Sequence, residues 1–497
     1  MSSREDDLIV YGSGLLWDPP KVNIAKYMLD SMKKYGPQIT LINADNGYKQ
    51  TFDELRLLSV RTALELRTRG ITKGDVVAVY SKNYTISQLP FLATLYLGAT
   101  SLLIHSTYSL NELKIFLNKG TPKIIFCDDD FETKVKSVIN ELNMTNQIEI
   151  INLDKEFRTF TEEKYGEHDF EVVDISDNDI AILAGTSGTN GLIKAVPLTY
   201  RTYFMSINTM FEEMKKETCE ETLLSYSPLS WSSGFKILAQ SIILGARRIV
   251  KPNSISVVKV ISEYKVTAIL APASQITSMI GHPDFKKYNI SSQIKKLFYS
   301  GSPATVEQAK LFRQTFPNAW CFNAYGSTEM CATNAFFHEN DKLNAEKLNS
   351  NGKLVNNTNG KIIDIENGNI LGRNQIGEIL IQNPYMMKGY WKDPESTRYA
   401  FDADGWFHTG DLGYFDEDDC LYCTGRLKET FKYNGIQVNP LIVEDIIQGC
   451  PGVQSVCVVG KKDPICNNVP VAFIIKRKGY ENLTDKEVLS FTEGNFF

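Results

Sequence analysis

The chain has 497 residues, enough for two to four domains, and its 43% hydrophobic and 23% charged residues are an ordinary balance for a folded protein with a sizeable core. A net charge of -6 gives no reason to expect nucleic acid or an anionic membrane as a partner, and nine cysteines without framework spacing point to a reducing compartment. Residues 1–7 lack an apolar signal core, the ending is not of the Ser-Lys-Leu type, and the longest apolar stretch, Leu89 to Ile104, is broken by Pro90 and Gly98; the expectation is a cytoplasmic protein with no transmembrane segment.

From residue 20 to 180 helical and strand patterns alternate. Phe52 to Arg69 carries apolar residues at helical spacing and stops at Gly70. Asp75 to Tyr80 and Lys123 to Cys127 read as strands, and Leu89 to Ile104 as a buried helix running into a buried strand. Such alternation predicts a parallel sheet covered on both faces, with ligands beyond the carboxyl ends of its strands.

At that kind of place, after the apolar run Ala181 to Ala184, lies Gly185-Thr186-Ser187-Gly188-Thr189-Asn190-Gly191-Leu192-Ile193-Lys194. Glycines let backbone N–H groups turn toward an anion, Thr186, Ser187 and Thr189 add hydroxyls, and Lys194 adds a mobile positive charge, so the loop suits a polyphosphate. It lacks the Gly-Lys-Ser/Thr ending of a Walker loop. The alternative is a plain polar turn between a strand and a helix.

Further along, Tyr226 to Phe235 leads into an apolar helix reaching about Leu244, and Ser300-Gly301-Ser302-Pro303-Ala304 follows the strand Lys296 to Tyr299 as a turn. In Asn323-Ala324-Tyr325-Gly326-Ser327-Thr328-Glu329, Tyr325 can offer a ring face to a purine, Thr328 can donate to a phosphate oxygen, and Glu329 is a hard oxygen ligand suited to Mg²⁺; the bland alternative is a helix cap. The Asn-Gly pairs at 351–352 and 359–360 read as two hairpin turns. Asp404 to Asp411 and Thr424 to Val438 complete the ordered motifs, and Cys420 and Cys423 read as two unconnected thiols.

Five motifs, at 186–194, 300–304, 325–329, 405–411 and 425–438, resemble those of the adenylate-forming enzymes: acyl-CoA synthetases, 4-coumarate:CoA ligases and insect luciferases. Asn190 and Ile193 depart from the pattern, standing where Thr and Pro are usual. The resemblance implies an α/β protein with a large N-terminal domain of stacked α/β subdomains plus a β-rich subdomain (1–424), a hinge (425–428) and a small α+β C-terminal domain (429–497). It implies ATP, Mg²⁺ and coenzyme A as cofactors, and a small-molecule carboxylic acid, a medium- or long-chain fatty acid, as substrate. ATP would be held by Thr186, Ser187, Gly188, Thr189, Gly191, Lys194, Gly301, Ser302, Asn323, Ala324, Tyr325, Gly326, Ser327 and Thr328. Asp411 would accept the ribose hydroxyls and Arg426 would reach the ribose. Glu329 would hold the metal, and Lys194, Thr328, Glu329, Lys432 and Gln437 would carry the chemistry. Trp231, Gly234, Phe235, Ser206 and Ala332 would shape the acid pocket, although Trp231 in an apolar run reads equally well as core. Lys428 would be the pivot, and His408 is expected to be structural.

Family members continue beyond the point matching Phe497 with a Pro-x-x-x-Gly-Lys-type lysine. Lys432, Lys461, Lys462, Lys476, Lys478 and Lys486 follow the hinge here, and none stands in such a motif. Losing a cation that offsets the meeting of two anions commonly costs about 10²–10³ in rate. A truncated form, or a pseudoenzyme that binds ATP or an acyl ligand but turns over poorly, is therefore an alternative to full synthetase activity. A luciferase-like monooxygenase is a second one, weakened by Ser206 and Trp231 standing where beetle luciferases carry Arg and His. Tyr200, where His is usual, points toward the pseudoenzyme.

Overall fold

A computed structural model describes residues 8–12, 22–82, 84–187, 193–208, 221–250, 255–339, 341–433, 436–463 and 467–493. Among these, two mainly parallel sheets form the bulk of the fold. The first runs in the order Glu149–Asn152, Ile124–Cys127, Val76–Tyr80, Thr100–Leu103, Ile180–Ser187, Ile193–Thr199, parallel except for the last strand. The second runs Trp320–Asn323, Lys296–Tyr299, Ala268–Ala271, Thr222–Ser225, Arg247–Val250, Ile39–Asn43, Lys49–Thr51, again with only the last strand antiparallel.

Local sequence explains the helices that cover these sheets. Phe52–Thr68 starts at a capping box in which Thr51 accepts from the Glu54 N–H and Glu54 accepts from the Thr51 N–H, and it buries Phe52, Leu55, Val60, Ala63 and Leu66. Ser232–Leu244 is apolar almost all round, as a helix between layers must be. It stops at Gly245, whose φ of 74° is left-handed and whose missing Cβ leaves room for the Tyr35 ring.

A five-stranded antiparallel sheet follows, ordered Val10–Tyr11, Asn359–Ile363, Gly377–Gln382, Phe407–Phe415, Leu421–Arg426. Asn359-Gly360, expected as a turn, lies within a strand instead. Glycine is needed there because a Cβ would fall 2.7 Å from the Phe415 ring and 2.9 Å from Leu354. Asn351-Gly352 does bend the chain, with Gly352 at φ 82°. The small C-terminal part carries the sheet Ile436–Val438, Phe431–Tyr433, Asn467–Lys476, Val453–Asp463, covered by helices Pro440–Gln448 and Asp485–Glu493 around Ile447, Val453, Val458 and Val488. The molecule is thus mixed α/β, a large N-terminal domain with a small C-terminal one. No helix among the described residues is long and apolar enough to cross a membrane.

Candidate active site

The carboxyl ends of both parallel sheets open onto one cleft of about 580 Å³. The first sheet contributes Thr186 and, after Leu103, His105 and Tyr108. The second contributes Ala271 at a strand end, and Ser227, Pro272, Ser300 and Gly301 from the segments that follow its strands. The hairpin around 326–329 adds Gly326, Ser327, Thr328 and Glu329, and the antiparallel sheet adds His408, Thr409 and Arg426. Strand ends are where a parallel sheet exposes loop backbone without disrupting its ladder, which is why residues far apart in sequence meet here.

The loop after Ile180–Ser187 returns as the antiparallel strand Ile193–Thr199, with Thr186 opposite Lys194. It therefore joins two strands, not a strand and a helix. Gly188, Thr189 and Gly191 lie outside the described residues, as do the side chains of Ser187, Ala332 and Gln437. Lys194 is buried; its ammonium sits 4.6 Å from the centre of the Tyr390 ring, and burial lowers its pKa against the opposing pull of Asp393 and Glu329. Tyr390 also donates its hydroxyl to Glu329 at 3.1 Å, so one aromatic residue joins the lysine and the carboxylate.

Asp411 is buried between two partners. Tyr325 donates its hydroxyl to one carboxylate oxygen at 2.8 Å, and the Arg426 guanidinium lies 2.8 Å from the other. Burial pushes the carboxyl up to about 6, and Arg426 works against that rise. The Tyr325 ring is only 6% exposed and belongs to the core. Its expected role as a purine platform is corrected: it reaches the site through its hydroxyl, which orients Asp411. His408, expected to be structural, lines the cleft and has its ring held by Glu378 at 3.0 Å.

Of the residues expected to shape an acid pocket, Trp231 is 44% exposed on the cleft wall and stacks on His105, with centroids 5.7 Å apart and 14° between planes. It is wall, not core. Phe235 is the reverse: 1% exposed, packed edge-on against Tyr203, and absent from the cleft lining. The helix turns by about 100° per residue, so the neighbour Lys236 faces the cleft instead. Ser206 is also corrected; it is buried and donates to the Tyr203 carbonyl at 2.7 Å, away from the cleft. Gly234 lies below the wall, where a Cβ would meet the Pro228 carbonyl oxygen at 1.8 Å. Tyr200 is fully buried, with its hydroxyl shared between the carbonyls of Leu95 and Ala99, which is a structural role.

Several further expected residues do not line the cleft, the buried Lys194 among them. Ser302 is exposed outside it, Lys428 is exposed on the short helix Leu427–Glu429, and Lys432 is exposed on Phe431–Tyr433. Asn323 is buried at the end of its strand, and Ala324 lines a side cavity. His105, Lys236 and Tyr390 were not foreseen as site residues. A lysine inside an apolar helix is a legible signal, since such a charge is seldom buried without purpose.

With this geometry in view, the comparisons are consistent. The model of the AMP-binding enzyme family matches residues 30–391, and that of the AMP-binding enzyme C-terminal domain matches residues 442–496. The 4-coumarate–CoA ligase 1 of Petroselinum crispum is 31% identical over 516 residues, covering 99% of this chain and 91% of that protein. The 4-coumarate–CoA ligase 2 of Nicotiana tabacum is 30% identical over 503 residues, covering 97% and 90%. Among solved structures, the luciferase-like enzyme of the nonluminescent mealworm Zophobas morio superposes with a TM-score of 0.78 at 28% identity, covering 85% of this chain and 100% of that one. ATP-bound MatB of Rhodopseudomonas palustris, with a TM-score of 0.83 at 23% identity and coverage of 95% and 92%, shares the fold. The chain belongs to the AMP-binding enzyme family. With that membership come acid–thiol ligation as the reaction class and ATP and coenzyme A as co-substrates.

Proposed function

We propose that this chain activates a carboxylic acid with MgATP to an acyl-adenylate and then passes the acyl group to coenzyme A. The observation that supports this reading most directly is the convergence of Thr186, Gly301, Gly326 to Glu329 and Arg426 on one cleft, with Asp411 fixed just behind it. Asp411 and Arg426 take the ribose. Thr186 and Thr328 donate to phosphate oxygens, and Lys194 offsets negative charge from beside Tyr390. Glu329 fits a hard cation: its carboxylate faces the cleft, and Tyr390 leaves acceptor capacity free on it. A bound Mg²⁺ there would neutralise phosphate charge.

In the first step a substrate carboxylate oxygen bonds to the α-phosphorus and pyrophosphate leaves. In the second, the thiol sulfur bonds to the acyl carbon and AMP leaves, the thiol proton passing to solvent. Lys432 and Gln437 belong to the small domain and would reach the adenylate only after rotation about Lys428, the pivot between a body of 1–424 and a unit of 429–497. The fatty-acid reading stays in the proposal as one arm of the test. The side cavity among the described residues holds only about 80 Å³, which favours a compact acid.

The test is acid-dependent pyrophosphate release from MgATP across short, aromatic and long-chain acids, followed by thioester formation with coenzyme A. Release with at least one acid is expected, and Glu329→Gln should slow it by about 10²–10³. ATP binding without acid-dependent release from any of the panel would sink the reading.

A further inference from the structure

Four lysines among the described residues are less than a tenth exposed: Lys194, Lys236, Lys296 and Lys361. Three have evident partners. Lys296 meets Glu221 at 2.6 Å, Lys361 lies 3.5 Å from Asp402 and over the Trp406 ring, and Lys194 sits over Tyr390 in the field of Glu329 and Asp393. Lys236, at 6% exposure, has no carboxylate partner among the described residues. The one titratable group that acts on it is the Cys331 thiol, which burial pushes up to about 12 and so keeps neutral. A buried, unpaired ammonium is costly to a fold, and burial pushes Lys236 down to about 8. A group kept at such a cost is best explained by a ligand that completes it.

Its position says which part of the ligand. Lys236 lines the nucleotide cleft and also the side cavity that opens from it, with Ser233, Leu270 and Ser300 shared between the two. The remaining side-cavity wall includes Leu223, Phe298 and Phe322, and Lys236 is its single charged residue. The reacting carboxylate must lie by the phosphates, near Thr328 and Glu329. The side cavity, at about 80 Å³, is much smaller than the cleft of about 580 Å³.

We propose that the acid substrate is a short dicarboxylic acid, one carboxylate being activated in the cleft and the other held by Lys236 in the side cavity. This rests on the acid-activation reading above and names its substrate class. A monoacid is disfavoured, because its alkyl end would leave the buried charge unpaired while a second carboxylate would pair it.

The experiment compares succinate with butyrate, and glutarate with valerate, by kcat/KM for pyrophosphate release in the wild type, Lys236→Met and Lys236→Arg. The expected wild-type preference for the diacid of each pair is about 10- to 100-fold. Lys236→Met should abolish that ratio and Lys236→Arg should retain part of it. A second readout needs no turnover: succinate should raise the Tm of the wild type more than butyrate does, and Lys236→Met should raise the ligand-free Tm while removing the succinate response. Equal use of monoacid and diacid by the wild type overturns the proposal. So does an equal loss on every acid in Lys236→Met, which would place the lysine on the reacting carboxylate, or a lowered ligand-free Tm, which would make it structural. If no acid releases pyrophosphate, the activation reading fails, and the Tm response to succinate still decides whether Lys236 binds a second carboxylate.

Discussion

At Asp411 two influences oppose each other on one carboxyl group. Burial lifts its pKa from 3.8 to about 6, and Arg426 at 2.8 Å holds the rise in check. The folded chain binds this proton more tightly than the unfolded chain does. Its contribution to stability is therefore present in full below about 3.8 and is lost as the pH rises through about 6. Nucleotide binding has the opposite demand, because the ribose hydroxyls need the ionised acceptor. ATP affinity measured by calorimetry should weaken as the pH falls through about 6. Asp411→Asn should bind ATP about 10-fold or more weakly at pH 7.5, the scale of a lost charge-assisted hydrogen bond, and should lack that pH step. An unchanged pH profile in the variant would move the titrating group elsewhere. At this same scale the sequence singles out Asp411, Glu329 and Lys194 by their charge, and the structure buries all three beside or on the cleft. The sequence was not legible for Tyr325, Phe235 and Ser206, whose roles depend on which way each side chain points once its element is packed.

Elements respond to local rules that the sequence states openly. Thr51 and Glu54 spell a capping box, and the helix Phe52–Thr68 starts there. Thr51→Ala should cost about 1 kcal/mol, read as a lower urea midpoint with unchanged slope. Gly234 opens the helix that carries Lys236. Its Cβ would overlap the Pro228 carbonyl oxygen, so Gly234→Ala should cost about 1–3 kcal/mol and disturb acid selectivity as the Lys236 helix shifts. Equal stability of Gly234→Ala and wild type would show that the 228–234 turn relaxes freely. The alternation of strand and helix, the buried Leu89 to Ile104 stretch and the helix reaching Leu244 were all readable from periodicity. Asn359-Gly360 was not, because the same dipeptide serves a turn or a close approach between strand and ring, and only the neighbouring Phe415 decides which.

Across the whole molecule, the small C-terminal part is tied to the large one close to the proposed pivot at Lys428. Asn439 donates to the Thr424 carbonyl at 3.1 Å, and Lys432 is exposed outside the cleft. If the two half-reactions need different orientations, stiffening the pivot should separate them. Lys428→Pro should reduce thioester formation and pyrophosphate release by different factors, about 10-fold apart or more, in single-turnover assays of each. Equal effects would remove Lys428 from the role of pivot. The sequence by itself determined the family, the order of the motifs and the reaction class, because phosphate, metal and ribose each demand particular residue types at particular spacings. Only the tertiary structure decided that Trp231 is wall while Phe235 is core, and that Lys236 stands unpaired where the cleft meets its side cavity. Those facts depend on which faces of packed elements meet across the chain, and burial and pairing are properties of that meeting rather than of any local pattern.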